Sequence, residues 1–246
     1  MSMICSVLGV TSAQMHVLRA RPALVSKLAL VAGIDLLRAH IDELTQRMTP
    51  EQRAQLEASQ ASFAASPAAK EAEARIADAR AALGALGPIE KALSLEKSWH
   101  MLHYLFTGHV GTWRPGELLP SGTIPGEDAA YGPDRLYDEE HAPGDLLLSG
   151  HVLGEDVGYG PARLHDERKA SEFGQFLEGQ DLARLRARVD FDEMDRVGVL
   201  YGLKQGLGSE AERQMLHEEI ARYFQLLRDY VRATADKGNG LMVWIS

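Results

Sequence analysis

The chain has 246 residues, 45% hydrophobic and 25% charged, so it is long enough to bury a core and too apolar to be disordered throughout. Its 26 Lys and Arg against 35 Asp and Glu give a formal net charge of -9, which argues against a nucleic-acid partner because phosphate backbones are repelled. A single cysteine excludes an internal disulfide, so a reducing compartment suits the chain.

The first predicted element is a buried strand in the apolar run of residues 3–8. The first basic residue is Arg19, and the apolar stretch of residues 23–37 is interrupted by Lys27 and Asp35. Neither a secretory signal nor a membrane span is therefore indicated. We expect a cytoplasmic protein that does not act at a membrane.

Two helices are predicted to follow this strand. Thr11 offers a capping hydroxyl with Gln14 three residues later, and Pro22 suits the first turn of a second helix. The apolar residues of the second helix recur with a period near 3.6, so we expect one face to lie on the core. Those residues are Leu24, Leu28, Val31, Leu36 or Leu37, Ile41 and Leu44.

Residues 49–90 are predicted to form a peripheral helical arm on a single domain spanning residues 1–246. Thr49 and Ser66 each precede a proline, a pattern typical of helix starts. The arm can bury little surface because its large apolar residues are few. They are chiefly Leu56, Phe63 and Ile76.

The pattern of the remaining residues predicts a helix over about residues 89–106, followed by Gly- and Pro-rich hairpins over residues 113–161. A long last helix and a strand over residues 241–245 are predicted to end the chain. The last helix has a single apolar stripe of Leu216, Ile220, Phe224, Leu227 and Val231. We expect the two terminal strands to share a sheet. The predicted fold class is therefore α+β, predominantly helical with a small sheet.

Residues 115–170 contain a tandem repeat with a period of 28 residues, because residues 115–142 and 143–170 align without a gap. Both copies contain the motif Gly-Glu-Asp-x-x-Tyr-Gly-Pro-x-Arg-Leu. Two copies are too few for a solenoid, so a duplicated hairpin is predicted. We favour the second copy as functional, because the first has Ala130 where the second has Gly158. The motif residues of the first copy are Glu127, Asp128, Tyr131 and Arg135.

Two segments carry a family resemblance: Glu-Lys-Ser-Trp-His-Met-Leu-His-Tyr-Leu-Phe-Thr-Gly at residues 96–108 and Gly-Glu-Asp-Val-Gly-Tyr-Gly-Pro-Ala-Arg at residues 154–163. Together they resemble the YfbM-like family, bacterial domain of unknown function family 1877. The resemblance spans most of the chain except the arm and implies an α+β fold. It implies no activity. The chain departs from the family pattern in the arm, in the extra repeat copy and at residues 197–202.

Two histidines three residues apart, His100 and His103, are predicted to project from one helix face, with Glu96 one turn earlier. A metal needs three or four ligands, and neither HExxH nor paired CxxC is present. We therefore expect these residues to pack in the core rather than to bind a metal, and we predict no cofactor. The Gly-Tyr-Gly sequence does not suit a phosphate loop, because Pro161 removes an amide donor.

The preferred hypothesis is a binding protein in which the helix motif and the repeat motif line one concave site for an unknown small ligand or protein partner. The alternative is a hydrolase-like enzyme, with or without a metal ion, using His100 and His103 with Glu155 and Asp156. A structural interpretation of the loop pairs Arg163 with Glu155 or Asp156. The candidate site residues are Trp99, His100, His103, Tyr104, Glu155, Asp156, Tyr159 and Arg163.

Overall fold

The computed structural model describes residues 3–108, 112–114, 117–119, 147–199 and 209–246. In these ranges a five-stranded antiparallel sheet, in the order β2-β1-β7-β6-β5, has helices on both faces, and β3 and β4 form a separate hairpin. The strands are β1 (Cys5–Val10), β2 (Leu93–Ser94), β3 (Thr112–Arg114), β4 (Glu117–Leu119), β5 (His151–Asp156), β6 (Pro161–His165) and β7 (Gly240–Ile245). The helices are α1 (Ser12–Ala20), α2 (Ala23–Arg47), α3 (Pro50–Ala64), α4 (Pro67–Ala82), α5 (Ser98–Thr107), α6 (Glu167–Glu178), α7 (Leu182–Ala187), α8 (Phe191–Arg196) and α9 (Glu210–Asp236).

The two terminal strands are neighbours at the centre of the sheet. β1 pairs antiparallel with β7, from Cys5 opposite Ile245 to Val10 opposite Gly240. Every residue of both strands is buried, because helices cover both faces. The predicted α+β class and the pairing of the terminal strands are confirmed.

Helix starts follow the local sequence closely. Thr11 and Thr49 form capping boxes with the glutamines three residues later, and Ser66 accepts a hydrogen bond from the amide of Ala69. Each cap satisfies amide donors that have no partner within the helix. The predicted starts at these three positions are confirmed.

The sheet separates two hydrophobic cores, as the alternation of side chains along a strand requires. On β1, Cys5 and Val7 belong to the first core, whereas Leu8 and Val10 belong to the second. The first core also contains residues of α5, α6 and α9, and the second contains residues of α1 and α2. The stripe predicted on α9 lies entirely in the first core.

The prediction that one face of α2 lies on the core is confirmed for the N-terminal half of the helix and wrong for Leu37 and Leu44. The buried residues of α2 end at Ala32. Beyond that point Leu37 is 57% exposed and Leu44 is 42% exposed. Helical periodicity reports an apolar face but not what lies opposite it, and the second core covers only the N-terminal half of this helix.

The helix predicted over about residues 89–106 begins later, at Ser98, because the preceding residues pair with the sheet instead. Ser94 of β2 lies opposite Ser6 of β1. The chain then reverses at Glu96, whose φ of 48° lies in the left-handed region. Gly108, with a φ of 75°, ends the helix as predicted.

The helices of the predicted arm differ in their packing. α3 buries no residue, whereas α4 buries Ala69 and Ala79 and contacts α2. The division into a single domain with an arm over residues 49–90 stays a prediction.

In the first repeat copy, Glu127, Asp128, Tyr131 and Arg135 lie outside the described residues. None of the helices in the described ranges combines the length and apolar character that a bilayer span requires.

Candidate functional site

Helix α5 places its motif inside the first core. Trp99 is 2% exposed and His103 is fully buried, while Tyr104 is half-buried against the same core. The indole of Trp99 donates a hydrogen bond to the backbone oxygen of Met3 at 3.3 Å and stacks on His100 with 4.9 Å between ring centroids. These contacts are those of packing residues between the sheet and α9.

His100 is a neutral imidazole at ordinary pH. Burial lowers the pKa of His100 to about 4, and a contact with the backbone of Val199 acts in the opposite direction. The unprotonated ring matches its position against Trp99, because an imidazolium would lose its hydration there.

Two polar residues at the start of this helix, Glu96 just before it and Ser98 as its first residue, make side-chain hydrogen bonds. Ser98 is fully buried, and its hydroxyl donates to a carboxylate oxygen of Glu219 on α9 at 2.7 Å. The carboxylate of Glu96 accepts from the hydroxyl of Ser94 at 3.0 Å. Glu96 and Ser98 therefore have structural partners within the chain.

The Gly-Glu-Asp motif of the second repeat copy ends β5, and residues 157–160 form the turn to β6. A carboxylate oxygen of Asp156 accepts from the amides of Gly158 and Gly160 at 2.7 and 2.9 Å. Gly158 has a φ of 144°, and a Cβ there would lie 2.7 Å from Cα of Ser246. The turn therefore needs glycine at this position, as anticipated in choosing the second copy. Glu155 remains exposed beside this rigid turn.

The sheet lies between the two candidate motifs. Glu155 and Asp156 are on the side of the second core, whereas His100 and His103 are on the side of the first. The histidine–carboxylate constellation of the hydrolase hypothesis is thus not assembled. Among the described residues, no group of three or more His, Cys, Asp or Glu side chains is placed to hold a metal ion.

Arg163 and Tyr159 also lie on the side of the sheet that faces the first core. Arg163 is 9% exposed and lies opposite Val243, a first-core residue, while Tyr159 packs partly buried against that core. Ala162 and Leu164, its neighbours on β6, lie in the second core, so alternation along the strand places Arg163 on the side of the first core.

A groove of about 700 Å³ opens on the second side of the sheet. Glu155 and Asp156 line it, and the residues contributed by α2 and α4 were not predicted as site residues. Leu30 and Leu37 of α2 are 38% and 57% exposed there. The sequence signal that identifies them is their spacing of seven residues on one helix face. The groove is lined by Ser26, Lys27, Ala29, Leu30, Gly33, Ile34, Leu37, Arg75, Asp78, Ala79, Glu155, Asp156, Val157, Trp244 and Ser246.

The fold defines a predominantly helical α+β protein built on a five-stranded antiparallel sheet. A family model described as domain of unknown function DUF1877 matches residues 1–244, and the chain belongs to this family. The fold is similar to the crystal structure of a protein of unknown function, YfbM from Escherichia coli, with a TM-score of 0.51. The two chains are 14% identical, and the similarity covers 99% of each. No curated protein matches the chain.

Proposed function

We propose that this protein is an interaction protein that binds a segment of another polypeptide in the groove between α2, α4 and the β5–β6 turn. The observation that carries the proposal is a groove of about 700 Å³ that combines exposed leucines with charged side chains. Exposed apolar surface bordered by polar groups is typical of recognition sites.

The charged side chains around the groove suit a partner with polar as well as apolar groups. α2 and α4 contribute Lys27, Arg75 and Asp78, and the turn contributes Glu155 and Asp156. The hydrogen bonds from the amides of Gly158 and Gly160 to Asp156 hold the turn in one conformation, so less freedom is lost on binding.

Within this proposal Glu155 and Asp156 keep the binding role predicted from the sequence. Trp99, His100 and His103 take a structural role, because they are buried in the first core. The cytoplasmic location expected from the sequence is part of the same proposal.

Gly33 offers a direct way to block the groove. It lies on α2 in the groove lining, and a Cβ added there would have no neighbour within 4 Å. Gly33→Phe should therefore fill the groove without disturbing the core, and Gly33→Ala is the matched control that leaves it open.

The test is selection of peptides from a random displayed library against the wild-type protein, followed by affinity measurement on both variants. Peptides that bind the wild type and Gly33→Ala but not Gly33→Phe would support the groove. Selected peptides that bind all three proteins equally, or a selection that yields no binder, would contradict it.

A further inference from the structure

The outward face of α2 carries five large apolar residues, and Met48 follows directly after the helix. Together we call them the α2 seam: Leu30, Ile34, Leu37, Ile41, Leu44 and Met48. They follow one another at alternating spacings of four and three residues. Leu30, Leu37 and Leu44 are all exposed, and Ile34, Ile41 and Met48 are half-buried. The seam starts in the groove and continues past it towards the end of α2.

This spacing is the heptad pattern of helices that pair along one side. The order of the spacings puts Ile34 and Ile41 at the a positions and the three leucines at the d positions. Isoleucine at a with leucine at d favours the pairing of two helices over larger bundles. The helical part of the seam, from Leu30 to Leu44, extends for about 21 Å along α2, at 1.5 Å per residue.

The residues that flank the seam include cations and no carboxylate. On one flank lie Val31, Arg38 and Thr45, and on the other lie Gly33, His40 and Arg47. Arg47 is paired with Glu43. The ion pairs formed within the described ranges leave Arg38 without a carboxylate.

The charges of the flanking residues favour a different protein over a second copy of this chain as the partner. A second α2 would bring Arg38, His40 and Arg47 against flanks that contain no acid, so no attractive pair would form. Acidic flanks on the incoming helix would complement Arg38 and His40. Asp78 and Glu155 beside the groove further suit basic residues on the outward surface of that helix.

We infer that the α2 seam docks an amphipathic helix of a partner protein, with leucine and isoleucine in heptads and acidic residues at the positions flanking them. This inference rests on the proposed function and specifies its partner. The helix lies along α2, inserts its apolar side chains between those of the seam and directs its flanking carboxylates to Arg38 and His40.

The test uses a fluorescein-labelled 21-residue probe peptide with Leu and Ile in heptads, Glu at the flanking positions and Lys at the outward positions. A control peptide exchanges Glu and Lys. Anisotropy titration with the full-length protein should give tighter binding of the probe than of the control peptide. Leu37→Glu should weaken probe binding by about thirty-fold, the typical loss of one anchoring side chain.

Two further variants make the test specific. Arg38→Glu should weaken binding of the probe and strengthen binding of the control peptide, because it reverses the charge beside the seam. Met215→Glu, at a 66% exposed position on α9, should change neither. Leu37 is itself exposed, so the melting temperature of Leu37→Glu should stay near that of the wild type.

Equal binding of the two peptides, unchanged binding by Leu37→Glu or absence of probe binding would overturn the inference. A dimer in sedimentation that Leu37→Glu dissociates would also overturn it, since a second copy would then occupy the seam. If library peptides lose binding to Gly33→Phe while the probe does not bind, the helical partner is refuted and the interaction groove stands.

Discussion

Helix α5 and the C-terminal half of α2 are both rich in large apolar residues, but they lie in different surroundings. α5 packs against α9 within the first core, so Trp99 and Leu102 are almost completely buried. The second half of α2 extends beyond the second core, and Leu37 and Leu44 remain exposed. The same kind of side chain thus lies in the core in one region and at the surface in the other.

The largest expected effect tests this difference directly. Trp99→Ala should lower the free energy of unfolding by about 4 kcal/mol, because a large buried side chain is replaced by a cavity. Leu37→Ala should change it by less than about 1 kcal/mol, because that side chain is already 57% exposed. Urea denaturation measures both. Losses of similar size would show that α2 and α5 contribute alike to stability.

The next effect concerns the contact of the β5–β6 hairpin with α2. Gly154 has a φ of 84°, and a Cβ there would lie 2.9 Å from Cβ of Val25 and 3.0 Å from the backbone oxygen of Pro22. Gly154→Ala should therefore lower the free energy of unfolding by about 3 kcal/mol, combining backbone strain with overpacking.

Gly160 is the matched control for this contact. Its φ of 106° is also unfavourable for alanine, but a Cβ there would meet nothing within 4 Å. Gly160→Ala should lose about 1 kcal/mol, from backbone strain alone. Equal losses in thermal or urea unfolding would show that the approach to Val25 and Pro22 adds nothing.

The fold could largely be predicted because its signals are local or periodic. Capping at Thr11, Thr49 and Ser66 predicted three helix starts, and the α9 stripe predicted a buried face. The pairing of the terminal strands followed from their apolar character. The late start of α5 was missed, because residues 93–94 pair with β1, a partner far away in the sequence.

The candidate site was harder to predict because it depends on which face of the sheet each motif occupies. A strand reverses its side chains at every residue, so Arg163 and Glu155 can share a motif and still lie on opposite sides. The exposure of Leu37 also depends on where the second core ends, which no local pattern reveals. The single-domain boundary and the arm stay predictions.

A pH dependence distinguishes the buried histidine of α5 from exposed groups. In the unfolded chain His100 has its ordinary pKa of about 6.5, whereas in the folded chain the pKa is about 4. Between these values the unfolded state binds the extra proton, so stability present above pH 6.5 is lost as the pH falls. The loss between pH 8 and pH 5 should be about 2 kcal/mol.

His100→Asn isolates this contribution from the carboxylates that titrate in the same range. The difference in unfolding free energy between wild type and variant should change by about 2 kcal/mol between pH 8 and pH 5. His16→Asn, at an exposed position on α1, is the control. A difference that stays constant with pH would contradict a neutral, buried His100.

The smallest expected effect is a gain in stability at the groove itself. Gly33 lies within α2, a 25-residue helix, and its missing side chain faces open space. Gly33→Ala should raise the free energy of unfolding by about 0.5 to 1 kcal/mol, because alanine restricts the unfolded chain and favours the helix. Thermal unfolding at constant pH measures the gain. A loss instead would mean that α2 requires glycine here for its backbone, and Gly33→Phe would then no longer be a clean block of the groove.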